Sequence, residues 1–212
     1  MRKATSEENA HGKEPGARRA EPVECIVIGG SAGAIESLLK ILPGLPAQFP
    51  LPILIVVHLP PEEKSLLPEI FSVRCHIAVK EAEDKELIRG STVYFAPPNY
   101  HLLVEADRSL SMSNEEPILY SRPSIDVLFE SAADAFGSGL LALVLTGANS
   151  DGTAGAKAVL TAGGTVWVQN PEATDAALMP QSVLAACPTA RPLALLQIAH
   201  EIEALRFDGP TE

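Results

Sequence analysis

The chain has 212 residues, 46% of them hydrophobic and 20% charged, which is enough for one substantial domain with an apolar core. Its formal net charge of −11 argues against non-specific binding to nucleic acid or to an anionic membrane surface. The three scattered cysteines include no C-x-x-C motif, so neither a disulfide framework nor a zinc site is indicated, and we predict a reducing, cytoplasmic compartment with no metal and no cofactor.

The composition changes near residue 22. Residues 1–22 carry almost no large apolar side chains and hold five Lys/Arg beside four Glu, so the sequence predicts a disordered tail there and one folded domain over residues 23–212. His11 lies in that tail and is expected to be inert. No apolar run reaches the length of a membrane span and no signal peptide is visible, so we expect no membrane insertion.

The first candidate site follows the apolar run at residues 25–28. Two glycines, Ser31 and further small residues come next, and a helical pattern starts at Ile35, which predicts a buried strand, a tight turn and a helix. Residues 29–33 also satisfy G-x-S-x-G, in which a serine nucleophile occupies a strand-to-helix turn and the helix N-terminus suits a developing oxyanion. A glycine-rich packing turn and a phosphate-binding turn are the alternatives at this point.

A second buried strand is predicted over residues 53–57, and it ends at His58, which two prolines follow closely. A histidine at the carboxyl end of a strand is well placed for chemistry, although a hydrogen-bonded loop histidine is the commoner case. Residues 62–71 are predicted to form a helix whose inward side chains are Leu66, Leu67, Ile70 and Phe71.

The next segment changes character. Short strand-like runs at residues 76–80, 91–96, 101–104 and 109–112 are separated by turn residues, which predicts one short strand and then a hairpin or meander. His101 follows a Pro-Pro-Asn turn and is the second candidate histidine, whereas His76 is expected at a strand edge.

The second half alternates helices and strands. Ser124 is predicted to cap a helix that ends near Phe136. The apolar run at 140–145 predicts a central parallel strand. The segment 146–152 (Thr-Gly-Ala-Asn-Ser-Asp-Gly) leads into a helix over about 153–162. A strand at 165–169, a loop with a short helix at 170–188, and a last helix over about 192–206 complete the chain.

This order of elements predicts a doubly wound, mostly parallel α/β sheet with helices on both faces and an inserted β-hairpin or meander. Ser31, His58 and Asp151 each follow a different apolar strand, and ligands of such sheets bind beyond the carboxyl ends of the strands. The three residues can form a hydrolytic triad in which His58 takes the proton of Ser31 and Asp151 orients the imidazole. The chain order Ser, His, Asp differs from that of the α/β-hydrolases, but a triad is defined by its geometry.

At these residues the chain resembles the catalytic domain of CheB, the chemotaxis receptor methylesterases, from about residue 24 to 204. The resemblance is carried by blocks at residues 28–33, 57–60, 79–84, 96–98, 122–129, 145–152 and 179–180. It implies Ser31 as nucleophile, His58 as base and Asp151 as the acid that orients it. It also implies hydrolysis of γ-glutamyl methyl esters on a methylated chemotaxis-type receptor, often with deamidation of particular glutamines. We expect the enzyme to be a monomer.

Oxyanion and substrate-binding roles are predicted for Ala32, Ala148, Arg122 and Met179. The family's oxyanion site uses a backbone N–H at a methionine that is Ala148 here, and a backbone donor survives a change of side chain. Arg122 is expected to bind the receptor, because an acidic enzyme that approaches a glutamate-rich surface needs local positive charge. The alternative for Arg122 is a surface arginine that merely flanks a helix.

Three departures from the family pattern stand out. The chain has Ser31-Ala32-Gly33-Ala34 where the family usually has Ser-Thr-Gly-Gly, and Asn149 replaces a glycine. Familiar members also carry a receiver domain, which residues 1–22 cannot form. We therefore expect a stand-alone form whose activity does not depend on a phosphodonor.

Two other functions compete with the esterase. The first is a catalytically idle adaptor that binds a receptor or a methyltransferase. Measuring methanol release from a methylated receptor would distinguish this adaptor from an active esterase. A dinucleotide-dependent enzyme is the other, but the chain lacks a proper G-x-G-x-x-G, and its second strand ends in His58 rather than in an acidic ribose ligand.

Overall fold

The computed structural model describes residues 22–59, 65–174 and 176–205. Its strands, in chain order, are β1 (Cys25–Gly30), β2 (Ile53–Val57), β3 (Ala78–Glu81), β4 (Thr92–Phe95), β5 (His101–Val104), β6 (Leu110–Ser113), β7 (Leu140–Val144), β8 (Thr165–Gln169) and β9 (Arg191–Leu193). Its helices are α1 (Ala34–Ile41), α2 (Leu67–Ser72), α3 (Ile125–Phe136), α4 (Thr153–Thr161), α5 (Leu178–Ala186) and α6 (Leu195–Glu203).

Seven of these strands form one parallel sheet in the order β3-β4-β2-β1-β7-β8-β9. The strands β5 and β6 form a separate antiparallel hairpin. The predicted doubly wound α/β fold with an inserted hairpin is therefore confirmed. From β1 the chain first builds one half of the sheet and later returns to build the other half from β7, so the strand order reverses between β1 and β7. This reversal is where ligands bind in sheets of this kind.

Both faces of the sheet are buried, which explains the uninterrupted apolar runs of β1, β2 and β7. Successive side chains of β1 point to opposite faces. Cys25 and Val27 belong to the core that α3, α4, α5 and the hairpin cover. Ile26 and Ile28 belong to the core under α1, α2 and α6.

Several predicted elements are corrected. The strand β3 is the predicted short strand, but β4 pairs in parallel with it and with β2 in the main sheet, so β4 is not part of a meander and the predicted hairpin consists of β5 and β6 alone. The short apolar pattern of β4 fits either arrangement, and its buried contacts with β2 decide between them. The strand β9 was not expected, because Pro192 and two exposed positions give it no alternating pattern, and the last helix begins after it.

The helix predicted over residues 62–71 begins only at Leu67 in the structure, and residues 60–64 lie outside the described part. Leu66 was expected to face inward but is 58% exposed. The predicted tail also lies outside the described residues, apart from Pro22. Within the described segments, no helix is both long and apolar enough to cross a membrane.

Candidate active site

The loops that carry Ser31, His58 and Asp151 are joined by main-chain hydrogen bonds. The His58 N–H donates to the carbonyl of Gly30 over 3.1 Å, and the Ser31 N–H donates to the carbonyl of Thr146 over 2.9 Å. The ends of β1, β2 and β7 are therefore held together at the reversal of strand order. The structure brings all three predicted triad residues to this one edge of the sheet.

Close helix packing explains the two glycines at the end of β1. A Cβ on Gly29 would lie 2.3 Å from Cγ2 of Ile125, and one on Gly30 would lie 2.6 Å from Cβ of Ala34. Gly33 has φ of 79°, whereas Ser31 is not among the described residues with positive φ. The left-handed step of the turn thus falls on a glycine and not on the serine, so Ser31 is presented without backbone strain.

His58 and Asp151 form a short pair. Nε2 of His58 lies 2.8 Å from Oδ2 of Asp151, whose side chain is 0% exposed. Because the other partners of Asp151 are all donors, it is a carboxylate acceptor, and Nε2 carries the hydrogen that it receives. The ring nitrogen left to accept a proton is therefore Nδ1.

Asp151 occupies the N-terminus of α3. Oδ1 accepts hydrogen bonds from the Ser124 hydroxyl at 2.9 Å, from the Asp126 amide at 3.0 Å and from the Gly152 amide at 3.0 Å. Oδ2 accepts from the Ile125 amide at 2.8 Å as well as from His58. The free amides and the dipole of a helix N-terminus favour an anion there. The Ser124 hydroxyl does not cap α3 as predicted but donates to Asp151, whose carboxylate takes over the capping role.

The environment keeps Asp151 ionised. Burial by itself raises the pKa of a carboxyl group, but hydrogen bonds from His58, Ile125 and Asp126 outweigh it and hold the pKa of Asp151 below its ordinary value. A charged carboxylate stabilises the imidazolium that forms when a histidine acts as a base.

Two polar side chains lie at the free nitrogen of His58. The Ser121 hydroxyl is 3.4 Å from Nδ1, and the Asn149 amide nitrogen is 3.5 Å from it. Asn149 also donates to the Ser121 hydroxyl over 3.4 Å. The Ser31 hydroxyl has no hydrogen-bond partner within the described residues. The structure therefore places Ser31 beside His58 without a hydrogen bond between them, an arrangement that often tightens only when a substrate is bound.

The two backbone amides predicted to bind an oxyanion, those of Ala32 and Ala148, are without a hydrogen-bond acceptor in the described part of the chain. Gln169 and Ala176 hold the loop of Ala148 in place. Oε1 of Gln169 accepts from the Thr146 amide at 3.0 Å, and the Ala176 carbonyl accepts from the Gly147 amide at 2.9 Å. The Ala148 amide therefore sits on a supported loop, whereas the Ala32 amide belongs to the turn between β1 and α1.

Met179 has a different position from the one its predicted role requires. It is 0% exposed, and its amide donates to the Gly147 carbonyl over 3.0 Å. A Cβ on Gly147 would lie 2.6 Å from Cε of Met179. Met179 therefore packs beneath the loop and supports it, and its buried side chain does not reach a substrate.

Arg122 lies in the wall of a cleft of about 320 Å³ that also includes His58, Tyr120 and Ser121. Its Nη1 donates to the carbonyls of Asn114 and Glu115 over 2.9 and 3.0 Å. Among the described carboxylates none forms an ion pair with Arg122. Within the described residues, its charge is therefore carried at the cleft without a neutralising carboxylate.

His101 is buried and structural. Its Nδ1 accepts from the Ser124 amide over 3.1 Å, so Nε2 carries the hydrogen and donates to the Glu116 carbonyl over 3.2 Å. Both nitrogens are used to hold the segment before α3. His101, the second candidate from the sequence, therefore positions the loop that carries Ser121 and Arg122.

Sequence reasoning missed two residues of this site, Ser121 and Gln169, and it did not foresee the hydrogen bonds of Asn149. Gln169 leaves a signal, since it is a polar residue at the end of an otherwise apolar strand. Nothing in the local pattern distinguishes Ser121 from any loop serine. In the described part of the chain, no group of three or more His, Cys, Asp or Glu side chains could hold a metal ion.

A second buried carboxylate, Asp126, lies against Asp151. Oδ1 of Asp126 accepts from the Gly155 amide at the start of α4 over 2.7 Å. Burial, with the nearby charges of Asp151 and Glu130, raises the pKa of Asp126 to about 6 in spite of that hydrogen bond. When folding raises the pKa of a carboxyl group, the free energy of unfolding of the protein falls as the pH rises from the pKa of the unfolded state to that of the folded state.

We expect Asp126→Asn to stabilise the protein above pH 6. Asparagine can still accept from Gly155 and carries no charge, so the free energy of unfolding at pH 7.5 should rise by about 1 kcal/mol or more, which is about 2–4 °C in Tm. The gain should vanish below about pH 4, where the wild-type carboxyl is neutral in both states. Thermal unfolding at both pH values measures it, with Asp134→Asn on the exposed face of α3 as the control. An equal gain at both pH values would contradict a charge effect.

The fold and the site define the class of the protein: a parallel α/β protein with a hydrolase-type histidine–carboxylate pair at the reversal of strand order. The CheB methylesterase family profile matches residues 26–202, and the chain belongs to that family.

The relatives agree with this assignment. A protein from Leptospira interrogans is 47% identical over 177 residues, which cover 84% of this chain and 92% of that protein. Protein-glutamate methylesterase/protein-glutamine glutaminase 1 of Saccharophagus degradans is 36% identical over 177 residues, which cover 83% of this chain and 48% of that protein. The crystal structure of the Thermotoga maritima CheB methylesterase catalytic domain matches with a TM-score of 0.83 and 34% identity, covering 87% of this chain and 99% of that one. The aligned segment thus spans most of the Leptospira relative and about half of the Saccharophagus one.

Proposed function

We propose that this protein hydrolyses γ-glutamyl methyl esters on a methylated chemotaxis-type receptor and deamidates glutamines of the same receptor. The observation that carries the proposal is the His58–Asp151 pair, whose carboxylate is buried at the N-terminus of α3 beside the turn that presents Ser31. Family membership supports the substrate, because relatives such as the one from Saccharophagus degradans are named for both reactions.

The residues divide the reaction among them. Oγ of Ser31 attacks the ester carbonyl carbon while Nδ1 of His58 takes the hydroxyl proton, and Asp151 stabilises the imidazolium through Nε2–H. The carbonyl oxygen becomes an oxyanion that accepts from the amides of Ala32 and Ala148. The C–O bond to the methoxy group then breaks, and Nδ1–H of His58 supplies the proton that makes methanol.

Water completes the cycle. Nδ1 of His58 takes a proton from a water molecule that attacks the acyl carbon, and the proton then returns to Oγ of Ser31 as the receptor carboxylic acid leaves. With a glutamine substrate the first leaving group is ammonia. Neither sequence of steps needs a metal or a cofactor.

Release of methanol from a methylated receptor tests the function. The protein should release one methanol for each glutamyl ester lost from a purified receptor cytoplasmic fragment that has been methylated with a radiolabelled methyl group. Absence of release above the uncatalysed rate would contradict the proposal and would favour a catalytically idle adaptor. We also propose that the enzyme acts as a monomer in the cytoplasm, without nucleic acid and without insertion into the membrane.

Arg122 should contribute to receptor binding through its unpaired charge. Arg122→Gln removes the charge, and its amide ends two atoms short of the Nη1 that donates to the Asn114 and Glu115 carbonyls, so KM for the methylated receptor should rise about fivefold. Arg122→Lys keeps the charge and should change KM less. Steady-state kinetics on the receptor fragment measures both variants, and thermal unfolding checks the loop. If KM is the same in all three proteins, Arg122 only supports the loop before α3.

A further inference from the structure

A two-residue β-turn stands at the rim of the cleft that contains His58. Ile118 and Ser121 exchange both main-chain hydrogen bonds, over 3.1 and 2.8 Å, and Leu119 and Tyr120 are the two residues between them. Both have positive φ, 48° for Leu119 and 65° for Tyr120. Two positive φ values in a two-residue hairpin are typical of a type I′ turn, whose preferred residues are Asn and Gly.

Leucine and tyrosine are therefore poorly suited to the left-handed backbone conformation of this turn. A large side chain in the left-handed region costs about 1–3 kcal/mol unless the surrounding structure holds it there. The surrounding structure does hold it: Arg122 donates to the carbonyls of Asn114 and Glu115, and His101 donates to that of Glu116. Leu119 and Tyr120 therefore occupy two positions at which the backbone conformation alone would favour Asn and Gly.

Those side chains are also unfavourable for solubility. Ile118, Leu119 and Tyr120 are 38%, 49% and 102% exposed, so three consecutive apolar residues project into solvent. No fold-stabilising packing accounts for the Tyr120 side chain. A strained and exposed apolar turn beside a catalytic histidine is typical of a residue set retained for binding.

The turn contributes residues to two hollows of the surface. Tyr120 and Pro117 line the cleft that contains His58 and Arg122. The same two residues, with Leu119 and Glu116, also line a second, more open hollow. A ligand confined to the reacting ester would need only the first hollow. A polypeptide that carries the ester would cross Tyr120 and reach the second.

The overall charge of the protein favours an apolar contact with the receptor in addition to the charge of Arg122. Each methyl ester that is hydrolysed becomes a glutamate, so the receptor segment turns acidic as the reaction proceeds. The protein itself has a formal net charge of −11, so long-range attraction does not bring the two together. An exposed tyrosine and leucine provide affinity that does not depend on charge, and aromatic residues are frequent anchors of protein interfaces.

From these observations we infer that the 118–121 turn is a docking point for the receptor segment that carries the methyl ester, and that it selects protein substrates over small esters. This inference rests on the proposed function. The occupant is an extended or helical stretch of the receptor whose apolar side chains, adjacent to the methylated residue, pack on Leu119 and Tyr120. The ester enters the cleft beside His58 while the neighbouring residues lie over the second hollow.

The test replaces the apolar turn with the sequence that its backbone prefers. In Leu119→Asn/Tyr120→Gly, the ratio of kcat/KM for a methylated receptor fragment to kcat/KM for a small glutamyl γ-methyl ester should fall at least tenfold. The Tm should be equal or higher, because Asn-Gly suits a type I′ turn. Tyr120→Asn alone tolerates positive φ and should lower the ratio at least threefold, which keeps the test valid if the double variant is unstable.

Leu196→Asn is the matched control, since Leu196 is 76% exposed on α6 and is part of neither hollow. Its ratio should stay within twofold of wild type. If the wild type hydrolyses the receptor ester but both turn variants have the wild-type ratio of the two kcat/KM values, the docking role is overturned and the proposed function is not. An equal fall in Leu196→Asn would overturn it too. Wild type that releases no methanol from the receptor would instead overturn the proposed function on which the inference rests.

Discussion

Ser31→Ala should lower kcat on a methylated receptor by three orders of magnitude or more, because it removes the nucleophile and leaves only binding and the oxyanion amides. The structure supplies a matched control, since Ser121 is the other serine at His58, with its hydroxyl 3.4 Å from Nδ1. Ser121→Ala should cost no more than about tenfold, as expected for a residue that positions the imidazole. Rates of methanol release measure both.

A covalent probe separates the two serines independently of the rates. A fluorophosphonate should modify the wild type at Ser31, and peptide mass spectrometry locates the adduct. An adduct on Ser121, or a larger loss in Ser121→Ala than in Ser31→Ala, would move the nucleophile to Ser121.

The kinetics of a double variant test whether the triad residues act together. The double variant Ser31→Ala/Asp151→Asn should be no slower than Ser31→Ala, because the effects of residues that act as one unit are not additive.

Asp151→Asn should lower kcat by about four orders of magnitude and should also destabilise the fold. Oδ1 receives three donors and Oδ2 receives two, so an amide NH2 group at either position faces hydrogen-bond donors. The NH2 group is expected at the Oδ2 position, where it meets fewer donors. There it forces the His58 proton from Nε2 to Nδ1, and the histidine can no longer accept the proton of Ser31.

The loss of stability has a defined dependence on pH. An unmatched set of donors at the start of α3 should cost about 3 kcal/mol, or about 6–12 °C in Tm. Because the pKa of Asp151 is lowered by folding, its contribution is fully present above the unfolded value and is lost as the pH falls through the folded value. The difference in Tm between wild type and Asp151→Asn should therefore persist from pH 5 to 8 and shrink below pH 4. A catalytically competent variant with wild-type Tm would contradict both roles of Asp151.

Local patterns were enough for much of the fold. The strands β2 and β8 have the predicted bounds, because each is a mainly apolar run with proline, glycine or a polar residue on either side. The hydrophobic pattern did not predict strands that form only because a neighbouring strand pairs with them. The three-residue β9 is a strand only because β8 offers its edge, and the placement of β3 and β4 in the main sheet depends on β2.

The residue types of the candidate site could be read from the sequence, because Ser31, His58 and Asp151 each follow an apolar strand, and parallel strands bring their carboxyl ends to one edge of the sheet. Which atoms meet was decided by the tertiary structure. The Ser124 and Asp126 groups around Asp151 lie more than 20 residues away in the chain. Met179 is a packing residue and Tyr120 an exposed one for a similar reason: burial depends on which segments fold against a side chain, and that is not encoded in its immediate neighbours.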